Sequence, residues 1–350
     1  MIHTDAVVIG AGPVGLFQVF QLGLLGFDAH VIDALPEPGG QCVALYPDKP
    51  IYDIPGVPVC TGRSLTAQLL EQAAPFLSAS RIHLGQQVDT LTVDDTAPLG
   101  QHRFTLHTDQ GQAFKARAVF VAAGAGAFVP RPLALPGLNG TPTNLHHHLL
   151  DHVPWAGQHL TVAGGGDEAL QAVLTLLNAV PAQAPARISL LHRRDQFQAE
   201  PALELQVREA LAQGRVHLVL GVPQGVQQDA NGRLQAIELA QVDGTTWHNT
   251  DHLLVQLGLS PRLGPLADWG LPMARKQVQV DPATFASGVP GVYAVGDINT
   301  YPGKKRLLLC GFHEATLAAH AASAQLNPEA PQHLLYTTTS PLLRQRLGRA

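Results

Sequence analysis

One pattern of apolar and polar positions occurs twice along the chain. In its first copy a short β-branched apolar run, Asp5 to Ile9 (DAVVI), leads into the turn Gly10-Ala-Gly12-Pro13-Val-Gly15. A longer apolar stretch with helical character follows (LFQVFQLGLLG), and a second short run, Ala29 to Ile32, ends at Asp33. The second copy begins at His159 with HLTVA, turns through Gly164-Gly165-Gly166-Asp167-Glu168-Ala169, and continues as ALQAVLTLLNAV. Its closing run, Ile188 to Leu191, ends at His192-Arg193-Arg194. Apolar runs this short, bounded by turns, read as buried parallel strands, and the stretches between them as helices. A third run near the end, VYAV, delivers Gly296-Asp297, and a helix of small residues is expected near Gly311-Phe312-His313-Glu314-Ala315.

Strand, glycine turn and helix in this order form a cradle for a dinucleotide. Gly10 permits the tight turn, Gly12 lets a pyrophosphate approach the backbone, and Gly15 lets helix and strand pack closely. The helix N-terminus, opened by Pro13, faces the phosphates. A carboxylate at Asp33 suits the two ribose hydroxyls of an adenosine. In the second copy Gly164, Gly166, Asp167 and Ala169 form the turn, but the closing strand carries His192, Arg193 and Arg194 in place of an acid. A carboxylate there would repel a 2′-phosphate, whereas guanidinium groups hold one by bidentate bonds. The first copy is therefore expected to take FAD and the second NADPH.

The expected fold is α/β, with two Rossmann-like dinucleotide-binding domains of the three-layer ββα type. The FAD domain is expected to be discontinuous, residues 1–125 and 258–331, with the NADPH domain, 126–257, inserted into it. The connections AAGAGAFVP and QLGLSPR carry glycines as a pair of hinge strands would. Residues 332–350 form a C-terminal extension.

Composition and charge narrow the field. An apolar share of 45% with 14% charged residues indicates a folded globular chain. The net charge of −5 gives no basic face for nucleic acid. No run of about 18 apolar residues suggests a membrane span. Met1 leads straight into a strand without a basic n-region, so no secretory signal is expected. Cys42, Cys60 and Cys310 form neither a CxxC pair nor a metal-ligand spacing, which suits a reduced cytoplasmic protein. His146-His147-His148 cannot all face one ion and lack a partner ligand at helical spacing, so no metal is expected. The flavin monooxygenase fingerprint FxGxxxHxxxW is absent, because His152 and Trp155 lack the upstream Phe and Gly.

Taken in order, GAGPVG, GGQCVALYPDKPIYDIPG, GGGDEA, HRRDQF and VGDINTYPGKKRLLLCGFHEA resemble the thioredoxin-reductase-like ferredoxin/flavodoxin–NADP reductases over essentially the whole chain. The resemblance implies hydride transfer between NADPH and FAD, and single-electron transfer to or from ferredoxin or flavodoxin. It implies FAD contacts from Asp33, Gln41, Tyr46, Val88, Phe128 and Asp297, with the Tyr46 ring stacked on one flavin face. Tyr336 is implied on the other face, with Thr337 or Thr338 beside it and His333 as a second choice, often from the partner subunit of a homodimer. Lys304, Lys305 and Arg306 are the implied docking cations for an acidic carrier. Thioredoxin reductases add a CxxC pair just before the second glycine turn, where this chain reads Thr143-Asn-Leu-His-His-His-Leu-Leu-Asp151. Without that pair the electrons have no thiol route outward. The family's third arginine is replaced by Gln198, which predicts a weaker preference for NADPH over NADH. An NADPH-dependent flavin oxidase, a disulfide reductase using another protein's thiols, and a flavin redox sensor stay open as other readings.

Overall fold

The computed structural model describes residues 1–147, 149, 155–329 and 334–349. The chain first lays down β1 (Ile2–Ile9), α1 (Pro13–Leu25), β2 (Ala29–Asp33), α2 (Gly40–Leu45) and α3 (Gly62–Ala73). Four strands follow: β3 (Ile82–Leu84), β4 (Val88–Val93), β5 (Phe104–Thr108) and β6 (Ala113–Val121). The middle of the chain forms β7 (Leu145–His146), β8 (His159–Ala163), α4 (Asp167–Leu177), β9 (Arg187–His192), α5 (Pro201–Ala212) and β10 (His217–Leu220). It closes with β11 (Val222–Gln228), β12 (Leu234–Gln241), β13 (Gly244–Asn249) and β14 (His252–Val255). Last come β15 (Val292–Ala294), α6 (Leu308–Leu326) and α7 (Pro341–Arg346). Two units result, Met1–Phe128 with Pro261–Ala350, and Val129–Ser260 inserted between them.

In the first unit the strand order is β3–β2–β1–β6–β5–β4, and β15 also pairs with β6. The pairs of β1 with β2 and β6, of β2 with β3 and of β15 with β6 are parallel. The β4–β5–β6 meander is antiparallel. Alternate residues of β1 explain how two layers cover the sheet. Ala6 and Val8 pack with Leu16, Val19 and Leu22 of α1, Leu65 and Leu69 of α3, and Ala318 and Ala322 of α6. Val7 and Ile9 pack with Phe104 and Leu106 of β5 and with Leu266 and Leu271. Burying each such Leu or Val side chain stabilises the unit by roughly 1.5–3 kcal/mol. On α6, Ala315, Ala318, Ala319 and Ala322 are fully buried at helical spacing, and their small size lets α6 lie close against the core.

The inserted unit repeats the plan. Its parallel sheet runs β7–β14–β8–β9–β10, and a separate antiparallel sheet runs β11–β12–β13. Leu160 and Val162 pack under α4 and α5 with Leu170, Val173 and Val207. Ala163, Leu253 and Val255 face Leu234, Ile237 and Leu239 of β12. The three-layer ββα architecture expected from the sequence is present in both units. Among the described residues no helix is long and apolar enough to cross a membrane, and no cluster of three or more His, Cys, Asp or Glu could hold a metal ion. His146 instead pairs with His252 at 3.2 Å, against Trp155, and the His147 carbonyl accepts from Gln256 Nε2. His148, His152 and His333 lie outside the described residues.

Candidate functional site

The first glycine turn lies where β1 passes into α1. Gly10 has φ +112°, a backbone conformation favoured by glycine alone. A Cβ on Gly10 would lie 2.4 Å from the Ala122 carbonyl oxygen, and one on Gly15 would lie 1.9 Å from the Gly10 carbonyl oxygen. Gly12 differs, because a Cβ there would meet only the Gly40 Cα at 3.9 Å. Beside this turn opens a cavity of about 270 Å³ whose lining includes Gly10, Gly12, Pro13, Asp33, Gln41, Tyr46, Val88, Phe128 and Asp297. Gly15 does not line it and serves the packing of α1 on the turn. No side chain caps α1, so its leading N–H groups are left for a ligand at the cavity.

Buried polar groups fix the lining. The Asp33 carboxylate accepts from the Ala11 N–H at 2.5 Å and the Leu35 N–H at 2.8 Å, tying the end of β2 to the turn. Burial raises its pKa above the usual carboxylate range, and the two N–H donors oppose that rise. Gln41 Nε2 donates to Asp297 Oδ2 at 3.0 Å, joining residues 256 positions apart. Gln277 Nε2 donates to the Asp297 carbonyl at 3.0 Å, and its Oε1 accepts from Arg306 Nη2 at 3.0 Å. The Tyr46 hydroxyl lies 3.4 Å from Cys42 Sγ, and burial pushes the pKa of both groups up, so both stay protonated at neutral pH.

Lys304 departs from its expected role. Its side chain is 8% exposed, and Nζ donates to the Gly296 carbonyl at 2.8 Å and to Glu314 Oε1 at 2.5 Å. Glu314 is fully buried in α6 and also accepts from the Gly296 N–H, Asn299 Nδ2 and the Tyr301 hydroxyl. Lys304 is therefore no docking cation. A buried carboxylate demands a counter-charge, and Lys304 is the nearest one. Lys305 is exposed, and Arg306 is exposed at the cavity lining.

The C-terminal residues also lie elsewhere than expected for one chain on its own. Tyr336, Thr337 and Thr338 are exposed, and none of them lines the cavity. The tail is anchored through α7. Ser340 caps it, Leu343 is buried, and Arg346 Nη1 donates to the Leu24 carbonyl at 2.5 Å. Leu24 lies at the end of α1 opposite the glycine turn, about 20 Å away along a helix of this length. Attachment at that end holds the tail off its own cavity.

In the inserted unit, a Cβ on Gly165 would lie 2.5 Å from the His192 ring, so turn and strand end are in direct contact. A Cβ on Gly164 would lie 2.1 Å from the Gln256 carbonyl oxygen, whereas Gly166 has nothing nearer than 3.7 Å. Ala169 is fully buried, and Asp167 Oδ1 accepts from the Glu200 N–H at 2.7 Å, which turns that carboxylate aside. His192 Nδ1 pairs with the Arg194 carbonyl at 2.7 Å. Arg193 and Arg194 are exposed beside it, and the Gln198 N–H donates to the Gly165 carbonyl at 2.8 Å.

The family model described as pyridine nucleotide-disulphide oxidoreductase matches residues 4–325. The chain belongs to that family. Within the pyridine nucleotide-disulphide oxidoreductases it is similar to the ferredoxin–NADP reductase of Paracidovorax citrulli, 52% identical over 99% of this chain and 97% of that protein. It is also similar to the ferredoxin–NADP reductase of an Acidovorax species, strain JS42, 53% identical over 98% of this chain and 95% of that protein. Among solved structures, the thioredoxin reductase of T. acidophilum covers 93% of this chain and 99% of its own at 18% identity, with a TM-score of 0.57. The Staphylococcus aureus bacillithiol disulfide reductase covers the same shares at 15% identity, with a TM-score of 0.62. At such identities these two structures bear on the fold alone.

For this pyridine nucleotide-disulphide oxidoreductase, several cavity residues carried no sequence signal. Gln87 and Trp269 line the cavity from segments with no motif around them, whereas Asp53 lies within the YDIPG stretch without a role assigned to it and Arg262 ends the strand Leu259–Arg262. The small-residue run Ala122 to Ala127, read as a hinge, forms a wall of the cavity. The available signal was its place directly after a strand, where small residues let the backbone approach Gly10.

Proposed function

We propose that the chain is a ferredoxin–NADP reductase that uses FAD and NADPH. What carries the reading is the pair of glycine turns with opposite closing charges, Asp33 in one and Arg193 with Arg194 in the other. The name borne by relatives about half identical over nearly the full length supports it. The lining of the first cavity fits FAD: an open backbone face at Gly12 and an uncapped helix start for the pyrophosphate, Asp33 for the ribose, Asp297 for the ribityl hydroxyls, and Tyr46 for the ring. When bound, FAD supplies the hydride acceptor and the one-electron donor that the reaction needs. The protein's own groups bind and orient. Gln41 holds the Asp297 carboxylate in place, Glu314 and Lys304 grip the Gly296 peptide from both sides, and neutral Tyr46 and Cys42 keep that wall uncharged.

In this reading FAD belongs to the unit Met1–Phe128 with Pro261–Ala350, and NADPH to Val129–Ser260. All three cysteines fall outside the NADPH unit, which supports a carrier protein over a thiol relay as electron acceptor. Ferredoxin docks near the cavity through Lys305 and Arg306, and the enzyme works in the cytoplasm. The test is anaerobic turnover with NADPH and NADH, with and without ferredoxin. A higher kcat/KM for NADPH and a ferredoxin-dependent rate are expected. Equal values for the two nucleotides would exclude the NADPH assignment, and a matching aerobic rate without ferredoxin would favour an oxidase.

The reading includes a homodimer. Leu334, Leu335, Tyr336 and Leu342 are 59%, 44%, 62% and 44% exposed, apolar side chains left uncovered among the described residues. The tail then lends Tyr336 and Thr337 or Thr338 to the partner's cavity. Sedimentation of the holoenzyme at micromolar concentration is expected to show a dimer, and truncation before Leu334 a monomer. A monomeric full-length enzyme rules this part out.

A further inference from the structure

Asp195 follows directly on Arg193 and Arg194. An ionised carboxylate beside two cations meant for a phosphate weakens their hold on it. The structure shows how that carboxylate is occupied. Arg208 of α5 sends Nη1 to the Asp195 carboxylate and Nη2 to the Asp195 carbonyl at 3.4 Å. Glu204, one helical turn earlier, accepts from both Nε and Nη2 of Arg208 at 3.3 Å. The guanidinium lies over the Phe197 ring, 4.5 Å from its centre, and Phe197 in turn packs against the His192 ring. His192 abuts Gly165, so one continuous set of contacts runs from Arg208 to the glycine turn.

A lone exposed ion pair contributes little, because ordering two long side chains cancels the Coulomb gain. Here one guanidinium is fixed by two carboxylates, a carbonyl and an aromatic face, so the ordering cost is shared among several contacts. Three guanidiniums, of Arg193, Arg194 and Arg208, stand against the carboxylates of Asp195 and Glu204, leaving one positive charge in excess. Without Arg208 these four remaining charges cancel and Asp195 is released toward the phosphate.

We propose that Arg208 is a specificity-determining positioning residue, which secures the preference for NADPH by pinning Asp195 away from the 2′-phosphate. It does the work of the third arginine that Gln198 replaces, acting through Asp195 and not on the ligand. The inference rests on the NADPH reading above. Single-turnover reduction of the holoenzyme by NADPH and by NADH separates affinity from the limiting rate for each. Arg208→Gln is expected to raise the Kd for NADPH about tenfold, the effect of one charge a few ångströms away in partly solvated surroundings, and to leave NADH within about twofold. Adding Asp195→Asn to Arg208→Gln is expected to restore most of the NADPH affinity. Equal weakening of both nucleotides would mean that Arg208 only supports the fold, and failure of Asp195→Asn to rescue would mean that Asp195 is not what it restrains; either overturns the proposal. A wild-type enzyme that binds NADPH no better than NADH overturns the NADPH reading itself, and is told apart by needing no variant.

Discussion

Replacing Lys304 with Met lowers the unfolding free energy by about 3–5 kcal/mol, because it leaves the Glu314 carboxylate buried without its counter-charge. Lys305→Met, one residue along and exposed, stays within about 0.5 kcal/mol of wild type. The contrast between neighbouring lysines is the measurement, made by thermal and urea unfolding of both variants. Glu314→Gln is expected to be nearly as harmful as Lys304→Met. Both carboxylate oxygens of Glu314 accept from donors, Lys304 and Tyr301 on one, Gly296 and Asn299 on the other. An amide there must turn its NH₂ toward one of those pairs, against the Lys304 ammonium on one side or the Gly296 N–H on the other. At least one hydrogen bond then becomes a repulsion, and the Lys304 charge is left without its partner. Equal stability of the two lysine variants would contradict the burial of the pair. Charge reversal at Lys304 therefore reports on folding, and electron-transfer docking is tested at Lys305 and Arg306 alone.

Gly15→Ala and Gly12→Ala are expected to fail in different ways. A Cβ on Gly15 meets the Gly10 carbonyl oxygen at 1.9 Å, backbone against backbone, and no rotamer change can relieve it. α1 has to move off the turn, at a cost of about 1–3 kcal/mol or more, and the purified protein carries little flavin. A Cβ on Gly12 has ordinary room, with its nearest neighbour at 3.9 Å, but it occupies the backbone face turned to the cavity. Gly12→Ala is thus expected to fold with wild-type stability as an apoprotein. Bound flavin absorbance and unfolding midpoints, measured together, separate the two. A flavin-replete Gly12→Ala would remove the pyrophosphate from that turn.

The two glycine turns were legible because three constraints coincide within about 30 residues: a buried strand, a close backbone approach and a helix start. The same clarity extended to the helix ends only in part. α1 begins at Pro13, whose fixed φ suits a first helical position, whereas α6 begins at Leu308, ahead of the Gly311 expected to open it. Gly311 lies inside the helix, where a Cβ would come within 2.4 Å of Val14 Cγ2, so its small size serves packing and not a helix start. The β4–β5–β6 meander stood out less. Phe104, Leu106 and Thr108 are buried and alternate with Thr105 and His107, a period of two over only five residues. Lys304 shows a different limit. Its neighbours Lys305 and Arg306 are exposed, so its sequence context reads as a surface run, and only the fold brings Glu314 to it from ten positions away.

The two segments that join the units pair with each other as a short two-stranded ribbon, Ala127–Pro130 against Leu259–Arg262. The Arg131 N–H donates to the Gly258 carbonyl at 2.9 Å, so the inserted unit has its two ends side by side. Gly126 and Arg262 bring the cut ends of the host together in the same way. Each part thus closes on itself, as a domain spliced into a surface loop does. In lineage terms the inserted unit is a cassette. It can be exchanged by recombination at that ribbon without rethreading the sheet that carries the first glycine turn, and on the proposed reading such an exchange changes the electron donor while keeping the flavin site.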